Sequence, residues 1–267
     1  MKKIIKAVVA AATLAAAPAM AQDTTDTTYR FSSQSSAPFV RFPALFGVPS
    51  AVPALGGTAR LYVDYGNPRG AMPFGAPGSG DFSAGATFTL GNPVKYLSVT
   101  GGIDITGAKP FADAGSFNLS ASRFIFATPN QDFALFAGGT VSQLGAFGTA
   151  KGIPVKYSGY LTALADANFG GTTIPMIATV GYGTDVYVDA AGTQRDSYFW
   201  GVGAGVLPGV ALSVSGNSGA INAGANFATS AVPGLGVSAG VYDILDNTNQ
   251  RRLGVSIGYG RQLFGMN

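Results

Sequence analysis

From Thr58 to Leu263 the chain reads as short segments in which apolar residues alternate with small polar residues or glycine, broken by turn formers. Gly80–Leu90 shows the pattern: Phe82, Ala84, Ala86, Phe88 and Leu90 fall on one side, and Ser83, Gly85, Thr87 and Thr89 on the other. Side chains of a strand repeat every two residues, so this spacing predicts strands with one apolar and one polar face. Twelve are predicted, at Thr58–Tyr65, Gly80–Leu90, Tyr96–Thr106, Ser116–Ala127, Phe133–Ser142, Val155–Leu164, Met176–Thr184, Ser197–Val206, Ala211–Ser215, Ala220–Ala228, Val237–Leu245 and Arg252–Leu263. Between them lie turn formers such as Gly91-Asn92-Pro93, Thr128-Pro129-Asn130, Pro208-Gly209 and Asn217-Ser218-Gly219.

Repeated alternation with lipid on one side and a polar interior on the other predicts an all-β, antiparallel up-and-down transmembrane barrel of about 12 strands, with 10–14 possible. In such a barrel the odd-numbered connections lie on the outer side and run longer. The three longest of the predicted connections, 66–79, 143–154 and 185–196, belong to that set, and 107–115 is also an outer loop. The segment 165–175 is the exception among the inner turns.

Ahead of the strands come two different pieces. Lys2, Lys3 and Lys6 precede the short apolar stretch Ala7–Ala17 and the small-x-small site Ala19-Met20-Ala21, so residues 1–21 are expected to be an export signal. Residues 22–57 form an N-terminal extension, polar at first and then apolar but broken by Pro38, Pro43, Pro49 and Pro53. Four prolines forbid a regular central strand or long helix. The extension is expected either to pack at the periplasmic rim of the barrel or to plug its lumen. The barrel is assigned to residues 58–264 and a short tail to 265–267.

Composition removes several classes. The formal charge of +3 equals the three signal lysines, so the rest of the chain carries 13 bases against 13 acids, and no basic cluster points to nucleic acid. Every acid is Asp, and there is neither Cys nor His. Disulfides and thiolate metal sites are thereby excluded. No apolar run after residue 21 is long enough for a transmembrane helix, so crossing a membrane falls to strands.

Parity assigns the faces. Leu61, Val63, Leu97, Val99, Ile103, Leu135, Val141, Leu161, Val202, Ile221, Val237, Val241, Val255 and Ile257 are predicted to face lipid. Aromatic residues including Tyr65, Phe117, Tyr182, Tyr198, Trp200 and Tyr259 would form girdles toward the strand ends. Inward positions are mostly small: Ser83, Thr87, Ser98, Thr100, Asn118, Ser120, Thr140, Ser158, Thr162, Asn222, Asn226, Ser238 and Ser256. The charged lumen-lining candidates are Arg60, Asp64, Asp104 and Lys156, two of each sign, which predicts weak discrimination between ions. Arg123 breaks the pattern; a bulge near Ser122 would turn it inward and bring Phe124 and Phe126 outward.

Motifs for chemistry are weak. Gly236-Val-Ser238-Ala-Gly240 and Gly254-Val-Ser256-Ile-Gly258 match the nucleophile-elbow pattern, but they lie within strands and no histidine exists to serve as base. Glycine runs such as Gly201-Val-Gly203-Ala-Gly205 lack the following helix of a phosphate loop. Asp185, Asp189 and Asp196 do not follow a calcium-loop spacing. No catalytic residue, metal site or cofactor is predicted.

With its export signal, its alternation and its final strand Arg252-Leu-Gly-Val-Ser-Ile-Gly-Tyr-Gly-Arg-Gln-Leu-Phe264, the chain resembles the porin-like class of bacterial outer-membrane barrels. That resemblance implies residence in the outer membrane, with its lipids, the barrel-assembly machinery and small polar solutes as partners. It implies a weakly selective passive channel. A non-conducting structural or surface barrel with binding loops, and a soluble secreted β-rich protein, are the alternatives.

Overall fold

The computed structural model describes residues 44–67, 81–108, 111–130, 132–189, 193–229, 231–248 and 251–265. The expected export signal and residues 22–43, with Phe39 and Phe42, lie outside the described residues. Twelve strands run in chain order: β1 (Thr58–Asn67), β2 (Asp81–Gly91), β3 (Ser98–Ala108), β4 (Phe111–Ala127), β5 (Phe133–Gly148), β6 (Lys156–Phe169), β7 (Thr172–Val188), β8 (Gln194–Leu207), β9 (Val210–Asn217), β10 (Ile221–Ala228), β11 (Leu235–Tyr242) and β12 (Arg252–Gln262). Each pairs antiparallel with the next, and β12 returns to β1, closing the barrel. Closure leaves no unpaired edge, which a sheet surrounded by lipid requires. Twelve strands about 4.8 Å apart and tilted about 40° enclose a backbone cylinder of about 12 Å radius.

All twelve expected strands are present, but two expected loops are strand. Residues 165–175 form a hairpin around Gly170-Gly171, both at positive φ (56° and 86°). Pro175 falls inside β7; the β7–β8 pairing starts only at Met176, so the missing N–H costs that ladder nothing. Likewise 107–115 shrinks, because β3 runs to Ala108 and β4 starts at Phe111. The wall is therefore uneven: β4 and β7 have 17 residues each, and β9, β10 and β11 only 8.

One parity faces outward throughout. Leu61, Val63, Leu161, Val180, Val202, Leu212, Val214, Val255 and Ile257 are exposed, with Tyr65, Tyr182, Tyr198, Trp200 and Tyr259 among them. Water-soluble proteins do not carry a continuous apolar belt of this kind. The molecule is a transmembrane barrel of the bacterial outer-membrane type, and the soluble alternative fails on this surface.

Arg123 departs from expectation. The β4–β5 register is unbroken from Leu119 to Phe124, and its shift comes between Phe124 and Phe126. Ser122 is paired with the inward Ser98, so Arg123 lies on the outward parity, close to the end of β4 at Ala127. A long cationic side chain near a rim can extend to the headgroup level, which removes the need for a bulge at Ser122. Phe124 points inward against Phe136 (ring centroids 5.7 Å apart), while Phe126 is exposed beside Phe133.

The interior corrects a second expectation. Small residues do line β9–β12, but β5–β8 present Ala134, Phe136, Tyr160, Leu164, Ile177 and Phe199 inward as one buried apolar cluster. Leu45, Val48, Ala51 and Val52, from ahead of β1, complete that cluster.

Candidate functional site: the lumen wall and the segment against it

Register explains how the wall is built. One inward row crosses Gly66, Gly254, Gly240, Gly224, Ser213 and Gly203, then continues as Ile177, Leu164 and Ala134. The next row crosses Asn222, Ser215, Gly201, Thr179, Thr162 and Phe136. The first row is a shallow trough of glycine and serine that turns apolar at Ile177, and the second stays small and polar until Phe136.

Residues 44–57 lie against these rows. Phe46, 5% exposed, covers the glycine trough: a Cβ at Gly224 would come within 2.5 Å of its ring, at Gly240 within 2.9 Å and at Gly254 within 3.2 Å. Val48 and Leu45 sit over Gly201, and Ala51 over Gly138. Glycine is required where a foreign backbone or ring approaches a strand this closely. The alternating glycines of β10–β12 thus have a packing partner.

Polar groups secure the segment. The Phe46 N–H donates to Ser213 Oγ (3.1 Å), and Ser215 Oγ donates to the Phe46 carbonyl (2.5 Å). Further along, the Ala51 N–H donates to Thr162 Oγ1 (2.8 Å), and the Thr162 hydroxyl is in turn hydrogen-bonded to that of Thr179. Asn226 Nδ2 donates to the Ala44 carbonyl (2.8 Å), Ser98 Oγ to Ala54 (3.4 Å) and Gln262 Nε2 to Gly56 (3.1 Å). A proline-broken segment cannot join a ladder, so its buried backbone groups depend on such side-chain partners. Each bond contributes about 0.5–1.5 kcal/mol net.

Asn222 links this seat to the opposite rim. Its Nδ2 donates to Ser215 Oγ (3.2 Å), and its Oδ1 accepts the Asp243 N–H (3.0 Å). Asp243 is buried and accepts from the N–H groups of Asn247 (3.0 Å) and Thr248 (2.8 Å) and from the Thr248 hydroxyl (2.7 Å). The β11–β12 loop and Phe46 therefore share one hydrogen-bonded chain.

These contacts specify a test. Gly224→Val should push Phe46 off the wall, because the new Cβ meets Phe46 Cγ and Cβ at 2.5 and 2.7 Å before any backbone atom. Limited proteolysis should then cut within residues 44–57. Gly159→Val, which meets nothing within 4 Å, should leave the segment protected.

Each charged candidate takes a definite place. Arg60 lines a cavity of about 600 Å³ at the rim where β1 starts and β12 ends, together with Ala44, Asp166, Asn226, Ser238 and Ser256. Asp64 lies two inward positions further along β1, beyond Tyr62 and within electrostatic reach of Arg60. Asp104, midway along β3, accepts hydrogen bonds from the Tyr62 hydroxyl and the Asn118 amide. Lys156 opens β6 at the far rim, near Asp185. The structure brings Arg60 and Asp64 together and leaves Asp104 and Lys156 apart from them.

Ser238 and Ser256, the serines of the two nucleophile-elbow matches, are direct cross-strand partners in mid-ladder with no helix following. The sequence signal for the Ser/Thr/Asn contacts to residues 44–57 is the small inward face itself, which serves as a seat for the segment.

No protein-family model matches the chain, and no curated protein sequence matches it. Among solved structures it is similar to the KdgM porin, at 10% identity, covering 75% of this chain and 98% of that one with a TM-score of 0.48. The NanC porin is similar at 9% identity over 76% of this chain and 100% of that one, TM-score 0.46. The outer membrane protein Omp33 of Acinetobacter baumannii is similar at 9% identity over 77% and 98%, TM-score 0.46. At these scores what the chain does has to be read from its own wall.

Proposed function

We propose that this protein is a passive outer-membrane channel for small polar solutes, and that residues 44–57 act as a plug that narrows its lumen. The observation that carries the reading is the division of the wall. The segment covers the glycine trough of β10–β12 and the apolar cluster of β5–β8. Arg60, Tyr62, Asp64, Asp104 and Asn118 sit on the β1–β4 sector, where the contacts of residues 44–57 are near the rim, at Ser98 and Thr89. A polar, charged strip facing a neutral apolar filler suits a hydrated passage of small bore rather than a wide pore.

A specific observation favours a second reading. Six side-chain bonds to the segment's backbone would suit a barrel that never conducts and serves as a structural or surface element. Single-channel recording of the refolded mature protein separates the two. Discrete steps of small conductance are expected; silence from the full chain and from a folded barrel lacking residues 22–57 would retire the channel.

A further inference from the structure

The charges of the lumen are unequal in a way that counting them hides. Residues 44–57 carry no charge, so they add none to the field of the wall. Near the rim where the chain enters, Arg60 and Asp64 oppose one another on one strand face. Toward the far rim Lys156 faces Asp185, and Arg252 lies over the Tyr242 ring at 4.7 Å. Asp104 lies on β3 in the row of Tyr62, which falls between Arg60 and Asp64 on β1, and its hydrogen-bond donors are a phenol and an amide, both neutral.

Its position is built rather than incidental. Tyr62, Gly85 and Asp104 form one inward row across β1, β2 and β3. A Cβ at Gly85 would lie 2.3 Å from the Tyr62 ring and 2.8 Å from Asp104 Oδ1, so the glycine is the notch through which the two meet. On the other side, Asn118 Oδ1 accepts the Gln143 N–H (3.2 Å) at a residue with φ of 62°. That bond turns the Asn118 amide nitrogen toward Asp104. Two oxygens are thus each held by one donor, whereas a carboxylate offers about four acceptor sites. The remaining capacity is available to a solute.

We infer that Asp104, fixed by Tyr62 and Asn118, is a cation-binding site in the lumen that makes the passage prefer small cations and protonated amines over anions. The inference rests on the channel reading above. A fixed charge in a narrow, low-dielectric bore acts more strongly than the same charge in bulk water, and salt screens it. The preference is therefore largest at low ionic strength.

Reversal potentials in a potassium chloride gradient across a planar bilayer test this, using the refolded mature protein and the barrel lacking residues 22–57. At about 0.1 M salt, where the Debye length is about 10 Å, potassium should permeate several-fold better than chloride; at 1 M, where it is about 3 Å, the ratio should approach one. Asp104→Asn keeps the shape and should bring the low-salt ratio close to one. Asp104→Lys should invert it. Heat-modifiable migration in detergent gels checks that every variant is folded. A conducting barrel that prefers anions, or whose ratio ignores Asp104→Asn, overturns the inference and leaves the channel standing. A barrel silent in both forms overturns both.

Discussion

Deleting residues 22–57 is expected to raise the single-channel conductance several-fold while the barrel still assembles. Strand pairing runs from β1 round to β12 and back without the segment, so its loss breaks no ladder. Its backbone ties at the rim are few, such as Gly57 N–H to Thr89 and Leu263 N–H to Gly57. What disappears is the filler of a cylinder of about 12 Å backbone radius, and conductance follows the open cross-section. Assembly should cost some stability, because Phe136, Leu164, Ile177 and Phe199 would then face water. Phe46→Ala should give an intermediate result. Truncating a buried phenylalanine costs about 3–5 kcal/mol, and here the loss falls on the seat of the segment rather than on the barrel. Brief, frequent openings to the large conductance are the expected trace. Unchanged conductance in a folded deletion variant would instead mean that the segment never blocked the path.

The architecture was legible in the sequence because a barrel repeats one constraint twelve times. Leu61, Val63 and Tyr65, or Val255, Ile257 and Tyr259, announce an outward face wherever lipid covers every second residue. The lumen has no such uniform solvent. Inward Phe136, Leu164, Ile177 and Phe199 meet the segment, not water, so in β5–β8 both faces are apolar and period two fades. The same loss of contrast hid the fate of Phe46. A polar, glycine-lined interior is by composition an imperfect host for an aromatic ring, yet the glycines at 224, 240 and 254 leave room for it in register. Register across three strands cannot be read from any one of them. Arg123 failed for the opposite reason: parity was right, but its distance from the rim depended on where β4 ends.

Val255→Arg and Val63→Arg are expected to prevent assembly, and Ser256→Arg to permit it. Val255 and Val63 are exposed on the outward parity in the middle of β12 and β1, so arginine there would face hydrocarbon. The cost is about 2–4 kcal/mol at the midplane, and a side chain at mid-strand has far to reach before it finds headgroups. Ser256 differs from Val255 by one residue and by everything around it. It lines the rim cavity of about 600 Å³ and is paired across the strands with Asp64, which would receive the new guanidinium as an ion-pair partner. Parity alone is not sufficient for tolerance, since Ser98 also faces inward but is 2% exposed and donates to the Ala54 carbonyl. Ser98→Arg should therefore assemble poorly, for want of space rather than for exposure to lipid. The fraction of each variant that migrates as the compact, heat-modifiable form measures assembly directly. Equal assembly of Val255→Arg and Ser256→Arg would mean that the two sides of the wall have been exchanged.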